Sequence, residues 1–152
     1  MIRCLVPLLL VLLTCCGSSK LEKELIEAAN SGDVDRMSHL IDRGADVEGV
    51  ALDGWTPLTA AADAGQLDAV KLLLARRADI NRGTGDIPSR GLTPLFCAAR
   101  RGHINTARFL VEKGARLHLD PVLKSSFVDR VRSYKNDELI SLVTEVMARE
   151  NS

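Results

Sequence analysis

The sequence predicts an all-α protein, a solenoid of stacked helix-turn-helix units joined by short hairpin loops. Two segments, 54–81 and 91–118, align without gaps and share a Gly, a Thr-Pro-Leu, an Ala-Ala pair, a second Gly and a Leu-containing stretch. A less regular copy occupies 21–48. Aromatic residues make up 3% of the chain, which favours helices packed through small side chains over a β-sandwich. A unit that cannot bury its apolar face alone must stack on its neighbours.

Each copy predicts two helices. The Thr-Pro pairs at 56–57 and 93–94 predict helix starts, because Thr can cap exposed N–H groups and Pro loses nothing at the first helical position. Gly65 and Gly102 predict the end of the first helix in a left-handed turn. The second helix shows a broad apolar face, supplied by Val70, Leu72, Leu73 and Leu74 in one copy and Ala107, Phe109, Leu110 and Val111 in the next.

Two departures from the repeat are informative. Gly44 and Gly114 close the second helices of their copies, but Arg77 stands at the matching position. Arg77 is therefore either strained in a left-handed turn, at a cost of about 1–2 kcal/mol, or turned differently. The segment 81–91 carries four extra residues, since equivalent glycines are 33 residues apart before it and 37 across it. It lacks the GK[ST] of a phosphate-binding loop, and we expect a longer, mobile hairpin there.

These motifs resemble the ankyrin repeat, whose period is about 33 residues. The resemblance covers nearly everything from Leu21 to His118. It predicts one domain over 21–152, in which the first copy acts as a polar N-terminal cap and the last helical pair as a degenerate C-terminal cap. The expected units are 21–50, 51–87, 88–119 and the cap at 120–150.

The N-terminus predicts an export signal. An apolar run that follows Arg3 is too short to span a bilayer, which takes about 20 residues, but has the length of a signal-peptide core. It ends in Leu13-Thr14-Cys15-Cys16 and resembles the lipobox of bacterial lipoproteins. On that pattern residues 1–15 are removed, Cys16 is acylated and 16–20 form a tether. Cys15 is a weaker candidate for lipidation, and an ordinary secretory signal is the alternative.

Charge and chemistry argue against several functions. Twenty basic and twenty acidic residues leave no net field to attract nucleic acid. His39, His103 and His118 show no metal-ligand spacing with Cys97, which we expect to be a buried apolar residue. The sequence has no nucleophile with a base beside it and no cofactor motif. We therefore expect no enzyme, no metal and no cofactor.

The resemblance implies that a protein partner docks on the concave side, on hairpin tips and first helices. Trp55 is the single Trp, and Trp and Arg are enriched at interface hot spots; the alternative for Trp55 is packing over the neighbouring hairpin. The predicted partner-binding residues occupy variable positions of the repeat: Leu52, Asp53, Trp55, Asp63, Arg90, Leu92, Arg100 and Arg101.

We therefore expect a lipid-anchored, extracytoplasmic protein-binding module in the bacterial cell envelope, on the periplasmic face of the outer membrane and monomeric when free. A sharper hypothesis is an immunity protein that neutralises a toxic envelope effector such as a lipase, because some ankyrin-bearing lipoproteins resemble this chain. The alternative is an accessory factor for envelope stress response or assembly.

Overall fold

The computed structural model describes residues 20–51, 54–84, 92–119 and 121–150. Within these ranges the chain forms helices and no strand. The predictions made for residues 1–15, Cys15, Cys16, Leu52, Asp53 and Arg90 fall outside the described residues. The helices are α1 (20–31), α2 (Val34–Asp42), α3 (Pro57–Asp63), α4 (Leu67–Ala75), α5 (Pro94–Arg101), α6 (Ile104–Glu112), α7 (Pro121–Ser133) and α8 (Asp137–Glu150).

The helices stack as consecutive antiparallel pairs. Each first helix packs on the next first helix, α3 on α5 and α5 on α7, and each second helix packs on the next second helix, α2 on α4, α4 on α6 and α6 on α8. One hydrophobic core runs through all four pairs. The predicted all-α repeat fold is confirmed.

The Thr-Pro pairs begin the first helices as predicted, although the two caps differ. Thr56 and Thr59 form a reciprocal capping box, in which each side chain accepts the other's backbone N–H. Thr93 accepts the N–H of Phe96 and donates its own hydroxyl to the carbonyl of Arg116. The middle repeat therefore caps itself, whereas the third repeat also ties its cap to the segment after α6.

Small residues allow the close approach of the helices. Ala61, Ala62, Ala98 and Ala99 are fully buried between first and second helices. The second helices contribute Val70, Leu73, Ala107 and Leu110, which are also buried. In the C-terminal pair, the buried residues are Phe127, Val131, Leu139, Val143 and Val146.

The second helices end in left-handed turns at equivalent positions. Gly44 has a φ of 94°, Gly114 has 85°, and Arg77 has 67°. A Cβ at Gly44 or Gly114 would meet nothing within 4 Å, so the turn favours glycine for its backbone conformation and not for space. Arg77 therefore adopts the strained alternative of the two that the sequence allowed.

The hairpins close with the same hydrogen bond in both repeats. The N–H of Ala51 donates to the carbonyl of Trp55 at 3.0 Å, and the N–H of Thr84 donates to the carbonyl of Leu92 at 3.2 Å. The first pair is four residues apart and the second is eight, so the four extra residues lie inside the second closure. The insertion leaves the base of the hairpin unchanged.

In the described ranges, no helix has both the length and the hydropathy that crossing a membrane demands.

Candidate partner-binding surface

The C-terminal ends of the first helices are aligned by hydrogen bonds between repeats. Asn30, Asp63 and Arg100 occupy equivalent positions near these ends. The backbone carbonyl of each accepts a hydrogen bond from a side chain of the following unit. The donors are Gln66 Nε2 at 3.4 Å, His103 Nε2 at 3.0 Å and the Tyr134 hydroxyl at 2.6 Å. One residue of each unit therefore holds the helix end of the unit before it.

The same contacts explain why glycine follows the helix end. A Cβ on Gly65 would come within 2.6 Å of the His103 ring, and a Cβ on Gly102 would come within 3.2 Å of the Tyr134 ring. Thr106, which is buried, adds a hydrogen bond from its hydroxyl to the carbonyl of Gly65. The second helix of the third repeat thus rests directly on the backbone of the middle repeat.

An ion-pair cluster lies on this aligned edge. Asp63 accepts from Arg100 Nη2 at 2.9 Å and forms a bidentate pair with Arg101, through Nε at 3.0 and 3.1 Å and Nη2 at 2.9 Å. The Asp63 side chain is 14% exposed, against 36% for Arg100 and 53% for Arg101. The hydrogen bond to Asp63, reinforced by its charge, raises the pKa of the Arg101 guanidinium.

The cluster brings together three of the predicted partner-binding residues. Arg100 and Arg101 are predicted to bind a partner, and the structure pairs both of them with an acidic group of this chain. A partner's carboxylate would therefore join or compete with Asp63, through the guanidinium N–H donors that Asp63 leaves exposed.

Cys97 is buried on the inner side of α5. Burial, with the nearby negative charge of Asp63 adding to it, raises the pKa of the Cys97 thiol to about 12. The thiolate is the nucleophilic form, so a thiol that stays protonated at neutral pH is unreactive. The prediction that Cys97 is a buried apolar residue is confirmed.

Trp55 and Leu92 occupy equivalent positions at the N-terminal ends of α3 and α5. Both are half-buried and pack against the hydrophobic core. Part of the Trp55 side chain is therefore buried against the core, and the rest of its surface is exposed. A helix of seven or eight residues, at about 1.5 Å per residue, places this apolar row roughly 10–12 Å from the charged edge.

Sequence reasoning missed a second feature between α5 and α7. Phe96 stands where the middle repeat has Thr59, and its ring stacks on Phe127 with the centroids 4.8 Å apart. The guanidinium of Arg100 lies 5.9 Å from the centre of the Phe96 ring. A cavity of about 300 Å³ opens beside this stack. The exchange of Thr for Phe within an otherwise shared motif was the signal that could have revealed it.

Metal chemistry finds no support in the described ranges. They contain no group of three or more His, Cys, Asp or Glu side chains that could hold a metal ion.

The family of this chain follows from its architecture together with the similarity of its sequence to known proteins. A family model described as ankyrin repeats, in three copies, matches residues 25–120. The chain belongs to the ankyrin-repeat family. Ankyrin repeats form protein–protein interaction modules and in general are not catalytic, so the chain is a protein-binding module.

Several known proteins contain a similar stretch. The chain is 38% identical over 93 residues to the human ankyrin repeat and KH domain-containing protein 1, covering 61% of this chain and 4% of that protein. It is 40% identical over 78 residues to the mouse 2-5A-dependent ribonuclease, covering 51% and 10%. It is 31% identical over 105 residues to a human palmitoyltransferase, covering 66% and 15%. The chain therefore spans only a small part of these relatives.

Proposed function

We propose that this chain is a lipid-anchored, extracytoplasmic binding protein that grips a protein partner on the concave face of the repeat stack. The observation that carries the proposal is the placement of two groups of side chains at opposite ends of α3 and α5. Trp55 and Leu92 form an apolar row at one end, and Asp63, Arg100 and Arg101 form a charged edge at the other. An apolar anchor beside arginines is the composition of an interface hot spot.

The stack supports this role because it holds both groups in place before binding. The helix ends are fixed by bonds from the next unit, and the hairpin bases are fixed by the Ala51–Trp55 and Thr84–Leu92 hydrogen bonds. A surface that is already ordered loses little conformational entropy on binding, which improves affinity.

A binding titration tests the surface. We expect Trp55→Ala to weaken binding of the partner by at least about thirtyfold, because truncating a hot-spot residue costs about 2 kcal/mol or more. The Arg100→Ala/Arg101→Ala pair should weaken it too, whereas Arg43→Ala, an exposed arginine at the end of α2, should not. The partner is first isolated from solubilised membranes, and circular dichroism checks that each variant folds.

The outcomes separate two interpretations of Trp55. If Trp55→Ala unfolds the stack and the arginine pair binds normally, Trp55 is a core residue and the concave-face proposal fails. If all variants fold and bind equally, the interface lies elsewhere.

The anchor belongs to the same proposal. Acylated Cys16 would leave Gly17 to Lys20 as a tether, which at about 3.3–3.6 Å per residue reaches roughly 14 Å. The first repeat would then sit close to the membrane surface. Mass spectrometry of the mature N-terminus should find a lipid on Cys16, and Cys16→Ser should abolish both lipidation and membrane retention. Cys15→Ser is the matched control, and an acylated N-terminus at residue 15 would reassign the site.

The partner that we propose is a toxic envelope effector, which makes the chain an immunity protein. Support comes from the family's role in protein binding together with the export signal and lipobox that the sequence predicts, which would bring the chain to the compartment where such an effector acts. Bacteria that lack the protein should die when they are co-cultured with siblings that secrete the effector, and the wild-type gene should restore survival while the Trp55→Ala gene should not. Sensitivity to envelope stress without sensitivity to siblings would contradict this role.

A further inference from the structure

The cavity between α5 and α7 combines an aromatic floor with a basic rim. Phe96, Phe127 and Leu123 supply apolar surface, Arg100 and Arg130 supply charge, and Ser126 completes the lining. The Phe96 and Phe127 rings are 3% to 5% exposed and stacked, so the floor is fixed by the core of the protein. The cavity depends on rigid elements and not on the hairpin tips.

The charge around the cavity is not neutralised. Asp63 is the carboxylate that pairs with Arg100, and it also serves Arg101. Arg130 forms no ion pair within the part of the chain that the structure describes, and α7 carries Lys124, Arg130 and Arg132 against Asp129 alone. The Nε of Arg100 is buried without a hydrogen-bond partner among the described residues. The rim is therefore electropositive, and the Arg130 guanidinium retains donors for an anion.

The volume limits what the cavity can hold. About 300 Å³ lies at the lower end of the range for ligand pockets, roughly 300–1,000 Å³. That space suits one large apolar side chain. An arginine fork at the rim suits a carboxylate, which it can bind through two parallel hydrogen bonds.

We propose that this cavity binds an acidic segment of a protein partner, in which a large apolar side chain stands next to an Asp or Glu. The apolar side chain lies against Leu123 and the exposed edges of Phe96 and Phe127, and the carboxylate lies between Arg100 and Arg130. The proposal deepens the proposed function, and rests on it, because the first helices that form the concave face also bound this cavity. It adds a second contact point, one repeat beyond the Asp63 edge.

A defined peptide tests the cavity without the natural partner. The probe is a fluorescein-labelled peptide with the sequence Gly-Ser-Glu-Phe-Glu-Ser-Gly. The full chain is titrated into it at low salt, and binding is followed by fluorescence anisotropy. We expect saturable binding that weakens at least about fivefold when both Glu are replaced by Gln or when Phe is replaced by Ala, since a charge-assisted contact or an apolar contact is lost.

Variants of the chain locate the binding. Arg130→Glu should weaken binding of the peptide about tenfold. Arg132→Glu makes the same charge change in the same last turn of α7 but lies outside the cavity lining, so binding should stay unchanged. Leu123→Ala should weaken it as well, whereas Val122→Ala, whose side chain is 81% exposed, should not.

The result that overturns the proposal is the absence of saturable binding, or equal binding by the members of each variant pair. Arg130 and Leu123 lie apart from Trp55 and Asp63, so the two proposals fail separately. A partner that still requires Trp55 but ignores Arg130→Glu and Leu123→Ala would leave the concave-face proposal intact and remove this one.

Discussion

The two junctions between the three repeats are held by different chemistry. The first junction joins the first repeat to the middle repeat through exposed contacts on the second helices and hairpins: Arg76 pairs with Asp42, and Glu48 receives both the N–H of Asp79 and the guanidinium of Arg82. The second junction joins the middle repeat to the third at the C-terminal end of α3, where the Asp63 carboxylate, only 14% exposed, binds two arginines of α5 and where His103 and Thr106, at the start of α6, bond to backbone carbonyls.

Exposure decides how much each junction contributes. Asp42 is 67% exposed, whereas Asp63 is 14% exposed. Exposed ion pairs contribute about 0–1 kcal/mol because water and salt screen them, whereas a shielded carboxylate with several charge-assisted bonds is costly to remove. The second junction therefore carries most of the polar stabilisation, and it also borders the proposed binding surface.

The largest expected effect is on the reactivity of Cys97, whose buried thiol lies near Asp63 of the second junction. The pKa of Cys97 is raised from 9.0 to about 12, so its thiolate fraction at pH 8 should be lower by roughly a thousandfold than that of an unperturbed thiol. Iodoacetamide should therefore leave Cys97 unmodified in the native protein and label it in denaturant, as read by peptide mass spectrometry. Rapid native labelling of Cys97 would mean that the junction opens readily.

Removing the central carboxylate of the second junction should have the next largest effect. We expect Asp63→Ala to lower the free energy of unfolding by about 1–2 kcal/mol, because two arginines lose their shared partner, although their own exposure reduces the cost. Asp42→Ala should change it by less than about 0.5 kcal/mol. Urea denaturation compares them, and equal losses would break the contrast between the junctions.

The helix-end contacts should follow the same order. His103→Ala removes a 3.0 Å hydrogen bond and the ring that covers Gly65, and we expect a loss of about 1 kcal/mol. Gln66→Ala removes a longer hydrogen bond of 3.4 Å together with the side chain that covers Gly32, and because that bond is weaker it should cost less than about 0.5 kcal/mol. A larger loss for Gln66→Ala in thermal denaturation would contradict the assignment.

The smallest expected effect concerns the turn at Arg77. This turn lies in the middle repeat, which takes part in both junctions. Arg77 is held at a φ of 67°, so Arg77→Gly should raise the free energy of unfolding by about 0.5–1 kcal/mol, after allowing for the entropy of glycine in the unfolded chain. Arg43→Gly is the control, because Arg43 has a φ of −83° and glycine there brings only the entropy cost. No gain for Arg77→Gly would mean that the turn carries no strain.

Local patterns made the fold predictable from the sequence. The Thr-Pro starts, the Ala-Ala pairs and the glycines each favour one local structure, and all of them repeat in register. Even the strain at Arg77 could be predicted as one of two alternatives, because Arg77 occupies a position at which the other repeats have glycine. What remained open there was the choice between strain and a different turn, which depends on the chain around it.

The site was less predictable because its contacts join residues far apart in the sequence. The repeat positions placed Asp63, Arg100 and Arg101 on one edge, but long arginine side chains could point to a partner or to Asp63 with equal ease. Tyr134 was harder still, because the last unit has Lys135 where the others have glycine, and the bond to Arg100 comes from the residue before it. Side-chain direction, not position, was the missing information.

The hairpin closure between Thr84 and Leu92 has a consequence for engineering. A loop that doubles in length costs only about 0.6 kcal/mol more to close, and the four inserted residues lie inside a closure whose base matches that of the shorter hairpin. The tip is therefore a natural grafting point, where foreign peptides can be displayed with little penalty to the scaffold. The closing hydrogen bond is the same in both hairpins, so the length of the tip is a separate design variable.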